Sequence, residues 1–98
     1  IIVICMRRDP NNSIPEWEEI ASTSMAVQNM WLTCTANNVG CYWSSPKSIE
    51  KIGDLINLKD GERCLGFFYL GYYDKNEKVL SKRDSIEKRV DWINSIDR

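Results

Sequence analysis

The run from Glu16 to Cys34 sets the strongest limit on what this chain can become. Trp17, Ile20, Ala21, Ser24, Val27, Gln28, Trp31 and Cys34 recur at three- and four-residue steps, the spacing of one helical face. Met25, Met30 and Leu32 add apolar positions on other sides, while Ala21, Ser22, Ser24 and Ala26 keep the first half slim. Such a helix is expected to be packed on most of its circumference, not laid on a surface. Pro15 and the acidic Glu16, Glu18 and Glu19 open it, because negative side chains suit the positive end of the helix dipole. Asn37-Asn38-Val39-Gly40 closes it, with Asn and Gly supplying left-handed capping conformations.

A helix with so many apolar sides needs partners, and the chain offers two strand-like runs. Residues 1–6 read as a continuous apolar, β-branched strand buried on both faces. Cys64 to Gly71 reads as a second buried strand, after the turn Lys59-Asp60-Gly61-Glu62. Between them, Arg7 to Pro15 is loop and Cys41-Tyr42-Trp43 is a short aromatic segment. Ser44-Ser45-Pro46 then begins a second, shorter helix, with Ser45 as N-cap, Pro46 at the first helical position and Ile49, Ile52 and Ile56 as its apolar stripe. Residues 74–89 turn sharply charged. Ile86, Val90 and Ile93, flanked by Trp92, form either a last short helix or an arm that packs on a partner. Strand, long helix, short helix, strand and C-terminal arm make an α+β or α/β arrangement, and pattern alone goes no further.

Size and charge then exclude several functions. At 98 residues the chain is one small domain at most. It opens Ile1-Ile2-Val3-Ile4-Cys5, in what reads as its own core, so a piece of a longer protein is expected. Thirteen Lys plus Arg against fourteen Asp plus Glu leave a net charge of -1, which argues against a broad basic surface for nucleic acid. The longest apolar run, Cys64 to Tyr73, is about half the ~20 residues a membrane-spanning helix needs. With no histidine, the commonest general base and the commonest transition-metal ligand are both missing. Four cysteines without a C-x-x-C pair give no zinc site, and they are expected to be buried, reduced thiols.

Chemistry enters through a resemblance. The run Ser24-Met25-Ala26-Val27-Gln28-Asn29-Met30-Trp31-Leu32, followed by Gly40-Cys41-Tyr42-Trp43-Ser44-Ser45, resembles the second half of the nitroreductase family of FMN-dependent oxidoreductases. The strand Leu65-Gly66-Phe67-Phe68-Tyr69-Leu70-Gly71-Tyr72 is similar to that family's closing strand. The likeness is to the compact, single-domain branch, and it covers nearly all of this chain but about half of the usual domain. It implies a three-layer α+β fold of which residues 1–98 form the C-terminal half, with the N-terminal half before Ile1. It also implies a cytoplasmic homodimer holding FMN at the subunit interface. Hydride would pass from NADH or NADPH through the flavin to a small-molecule acceptor, a nitroaromatic, quinone or enone. No catalytic side chain and no metal are implied, because backbone N–H groups aimed at the reduced ring suffice.

Carried over by position, Trp43, Ser44 and Ser45 match the segment that runs along the flavin. Lys82 and Arg83 match a basic cluster on the FMN phosphate, although Ser81 stands where a second basic residue is often found. Thr33, Cys34, Thr35, Ala36, Asn37 and Asn38 match positions that contact the nicotinamide nucleotide. The bland alternatives are a core Trp43, a capping Ser45, a solvated charge run at 82–83 and ordinary helix packing at 33–38. A degenerate module that binds flavin without catalysis is the second reading of the whole chain.

Overall fold

The computed structural model describes residues 1–74 and 81–94. Three antiparallel strands, β1 (Ile2–Arg7), β2 (Gly40–Ser44) and β3 (Glu62–Gly71), form one sheet in the order β1-β3-β2. The helix α1 (Glu16–Ala36) joins β1 to β2. A 3-10 helix at Lys47–Ile52 and the short α2 (Gly53–Ile56) lead back to β3, and a further 3-10 turn covers Ile86–Lys88. The mixed helix-and-sheet class is as expected, with one strand more. Gly40 to Ser44 is a strand because each residue finds a register partner on β3, from Gly40 opposite Gly71 to Ser44 opposite Phe67.

The core lies between α1 and one face of the sheet. Ile4, Val27, Cys34 and Phe68 are buried together, with Met30, Val39, Cys41, Trp43 and Leu65 packed against them. Phe68 is wholly buried, and Trp31 meets its ring edge-on at a centroid distance of 5.9 Å. Among the described residues β3 alone has strand neighbours on both sides, and this corrects the first strand. β1 is an edge strand of the described sheet: Ile4 and Met6 are buried while Val3, Cys5 and Arg7 are exposed, the alternation of a strand with one covered face.

The helix is also less covered than its sequence suggests. Val27 and Cys34 are its buried residues, whereas Trp17 is 67% and Met25 70% exposed, and Ala26 and Leu32 are exposed too. A three-stranded sheet covers one side of a helix, and no other element among the described residues lies on the rest. Both ends of α1 are tied down. At the start, Arg8 pairs with Glu19, the Asp9 amide donates to Glu19 Oε1 at 2.6 Å, and Arg63 pairs with Glu16 at 3.1 Å. At the end, Asn38 takes the left-handed conformation (φ 58°), and the Val39 amide donates to the Cys34 carbonyl at 2.9 Å.

The second helix also needs a correction. Pro46 is extended (ψ 155°) and occupies the capping position itself, without a side-chain hydrogen bond. The first turn is therefore 3-10 and starts at Lys47, which leaves Ser45 one residue too early to cap it.

Candidate functional site

Trp43, Ser44 and Ser45 stand at the end of β2, and a glycine on the neighbouring strand fixes their placement. Trp43 lies opposite Phe68 on the core side of the sheet, and its indole N–H donates to the Leu65 carbonyl at 3.2 Å. The ring can lie there because residue 66 is glycine. A Cβ on Gly66 would fall 2.2 Å from Trp43 Nε1 and 2.7 Å from the Ser44 carbonyl oxygen. Gly66 also adopts φ 151°, a conformation that side-chain-bearing residues rarely hold. Ser44 is half-buried and Ser45 is exposed just past the strand. Trp43 thus spends its side chain on the core and has only its backbone to offer a ligand.

On the other face of the same two strands, Tyr42 stacks on Tyr69 at 5.0 Å and 11°, and Phe67 meets Tyr69 edge-on at 6.3 Å. This aromatic face follows from the register, since Tyr42 and Tyr69 are direct partners and Phe67 lies two residues along.

The end of α1 presents a mixed set. Cys34 faces the core, so its side chain is not available at the surface. Thr33, Thr35, Ala36, Asn37 and Asn38 are exposed. The Thr33 hydroxyl donates back to the Asn29 carbonyl at 2.9 Å, and the Asn37 side-chain amide donates to the Thr33 carbonyl at 2.8 Å. A cavity of about 370 Å³ opens beside this helix end, lined by Ile2, Asn29, Met30, Thr33, Cys34 and Leu70. Burial, followed by the neighbouring Cys34, pushes the Cys41 thiol above its ordinary range, so it is a neutral thiol at physiological pH.

Lys82 and Arg83 are exposed and line a cavity of about 560 Å³ with Asp84, Ile86 and Arg89. The ion pairs that shape this segment, Lys88–Asp84 at 3.8 Å and Arg89–Asp84 at 3.3 Å, are internal to it. The structure therefore joins the serine segment and the helix end through one shared core, to which Trp43, Cys34 and Cys41 all belong. It does not join the basic pair to them, since residues 75–80 lie outside the described residues. Among the described residues no group of three or more His, Cys, Asp or Glu could hold a metal ion. No helix among them is long and apolar enough to cross a membrane.

The part sequence reasoning missed is Gly66. Its signal was present, since a glycine inside an apolar strand often marks a close approach or a bulge, and Gly66 adjoins both.

Comparison with known proteins gives consistent matches. The family model described as Nitroreductase family matches residues 1–72, from β1 to the end of β3. A protein of Escherichia coli K12, provisionally named NAD(P)H nitroreductase YdjA, is 27% identical over 73 residues, covering 72% of this chain and 40% of its own length. A Bacillus subtilis 168 protein, provisionally named NAD(P)H nitroreductase YfhC, is 27% identical over 90 residues, 90% of this chain and 45% of its own. The crystal structure of a nitroreductase-like family protein from Bacillus cereus superposes with a TM-score of 0.78 at 28% identity, over 95% of this chain and 50% of that one. The chain thus spans about half the length of the relatives it matches.

Proposed function

This chain belongs to the nitroreductase family, and on that premise we propose that it is the C-terminal half of an FMN-dependent oxidoreductase that uses NADH or NADPH. The carrying observation is that the family match spans α1, β2 and β3, the elements that hold Trp43, Ser44 and Ser45 in place.

The donor set suits a flavin. Ser44 and Ser45 offer neutral hydrogen-bond donors, and Lys82 and Arg83 are two cations with no ion-pair partner among the described residues. A flavin phosphate carries about two negative charges, which such cations bind through charge-assisted hydrogen bonds. Bound FMN would supply a two-electron carrier between the nicotinamide and a nitroaromatic, quinone or enone acceptor.

The roles of this chain's own residues follow from their positions. Gly66 and the Leu65 carbonyl hold the Trp43 ring, which fixes the backbone that leads into Ser44 and Ser45. The serine segment orients the ring system, and Lys82 and Arg83 hold the phosphate. Thr33, Thr35, Ala36, Asn37 and Asn38 stand at an exposed helix end where a nicotinamide nucleotide can lie, and Cys34 supports them from the core. The exposed apolar side of α1 is covered in the intact cytoplasmic protein by the N-terminal half and a second subunit, an arrangement favoured by the large apolar side chains it presents.

The test is direct. The purified full-length protein should be yellow, and NADH or NADPH should bleach its flavin absorbance with recovery on adding a quinone. A colourless protein that fails to take up FMN would overturn the proposal. A yellow one that no nicotinamide bleaches would support the non-catalytic module instead.

A further inference from the structure

We propose that Cys5 and Cys64 form a reversible dithiol–disulfide site that closes across the β1–β3 ladder. All four cysteines are free, and these two are direct register partners on neighbouring strands. Directly opposed residues of an antiparallel pair have Cα atoms about 4.5 or 5.5 Å apart, depending on the pair type. Both spacings fall within the roughly 4.4–6.8 Å that a disulfide spans, so the pairing suits a bridge between the two strands.

The pair is asymmetric in a useful way. Cys5 is exposed on the edge strand, whereas Cys64 is 7% exposed on the central one. The Cys64 thiol is near enough to act on that of Cys5, and it donates to the Gly66 carbonyl, 3.8 Å away. An oxidant meets Cys5 first, and the sulfur best placed to respond is Cys64. The register irregularity between Ile4 and Cys5 adjoins the pair, and bulges give a ladder local freedom to re-aim a side chain.

The oxidant is a hydroperoxide. The Cys5 thiolate attacks the distal peroxide oxygen, the O–O bond breaks, and an alcohol (water, for hydrogen peroxide) leaves, with Cys5 now a sulfenic acid. The Cys64 sulfur attacks that sulfenic sulfur, an S–S bond forms, and the hydroxyl leaves with the Cys64 proton as water. Two thiols lose two electrons and two protons, and the peroxide is reduced by the same two. Partial desolvation, followed by the neighbouring Cys64, holds the Cys5 thiol above its ordinary range, so this is a slow site that registers sustained oxidant.

Cys34 and Cys41 make a second close pair, but Cys34 belongs to the buried cluster with Ile4, Val27 and Phe68. They serve as an internal comparison. The full-length protein would be treated with hydrogen peroxide under native conditions, blocked with N-ethylmaleimide, digested and mapped by mass spectrometry. The expected product is a Cys5–Cys64 linked peptide, two hydrogens lighter than its parts and released by dithiothreitol. In Cys64→Ser the Cys5 sulfenic acid should persist and be trapped by dimedone several-fold more than in the unsubstituted protein. Three outcomes would overturn the proposal: Cys5 recovered blocked and unoxidised, Cys5 oxidised to sulfinic acid without a linked peptide, or a Cys34–Cys41 link in its place.

Discussion

At the scale of single residues, one contact decides how the serine segment is held. Gly66→Ala would place a methyl carbon inside the Trp43 indole and against the Ser44 carbonyl, in a backbone conformation that alanine resists. Overpacking and backbone strain each cost about 1–3 kcal/mol, so the substitution should destabilise the intact protein by about 2–5 kcal/mol in urea unfolding. Trp43→Ala removes the ring that causes most of the clash. The double variant should therefore fall short of the sum of the two singles, and strict additivity would show that the ring is not the reason for the glycine. Asp9 gives a second residue-scale prediction. Its carboxylate accepts hydrogen bonds from the Ser13 hydroxyl and from the Asn11 and Ser13 amides, and these, led by the Ser13 hydroxyl, hold it below its ordinary pKa. A lowered folded-state pKa means this contribution to stability is present above the unfolded carboxylate range and is lost as pH falls through the folded value. Ser13→Ala should move the NMR titration of Asp9 upward, and an unchanged midpoint would remove the hydroxyl from the explanation. Asp9 in its loop was readable as turn chemistry, since Asp-Pro-Asn-Asn-Ser has few other uses. Gly66 was not, because its reason is a ring twenty-three positions earlier in the chain.

At the scale of elements, the bounds of α1 were legible and its surroundings were not. Pro15, the acidic first turn and the Asn37–Gly40 ending act locally, so sequence alone gives the observed Glu16–Ala36. Burial is not local: the apolar positions around α1 predict a covered helix, yet the sheet reaches only the side bearing Val27 and Cys34. Val27→Ala should destabilise the intact protein by about 1–3 kcal/mol, since it empties a packed site. Met25→Glu separates the two readings of the exposed side. In the 98-residue chain alone it should leave the helical circular-dichroism signal unchanged and reduce hydrophobic-dye binding. In the full-length protein it should break subunit association, seen as a shift to smaller mass by light scattering; an unchanged mass would leave that side of α1 outside any interface. The strand β2 is hard to read from sequence for a related reason. Five residues carry little periodicity, and it was the register opposite β3 that made them a strand. Ser45→Ala should change stability by less than about 0.5 kcal/mol, because the turn begins after Pro46 without a side-chain cap.

At the scale of the whole molecule, the proposed flavin site draws on parts of the chain that the described structure does not connect. Lys82 and Arg83 follow residues 75–80, and their segment is shaped by its own ion pairs. Ordering such an arm around a phosphate takes up much of the binding energy. Residues 1–98 alone should therefore bind FMN weakly or not at all, and the full-length protein tightly, as read by quenching of flavin fluorescence. Arg83→Glu should weaken binding by the full-length protein, more at low salt than at high, and a salt-independent loss would place Arg83 away from the phosphate. Tight stoichiometric binding by the 98-residue chain would contradict the division of the site. The order of the strands has a further consequence, for how the protein is made. Of the three described strands β1 leaves the ribosome first, but its neighbour in the sheet is β3, where Ile2 must find Phe68 and Arg7 must find Glu62. Until β3 has emerged, β1 lacks the partner it has in this sheet, and an apolar strand with an open edge is the kind of segment that chaperones hold and that neighbouring chains capture. The β2–β3 ladder closes a much shorter loop and can form without it. Among these strands, docking of β1 is then the late, length-limited step, and slow translation through residues 8–61 delays its pairing with β3.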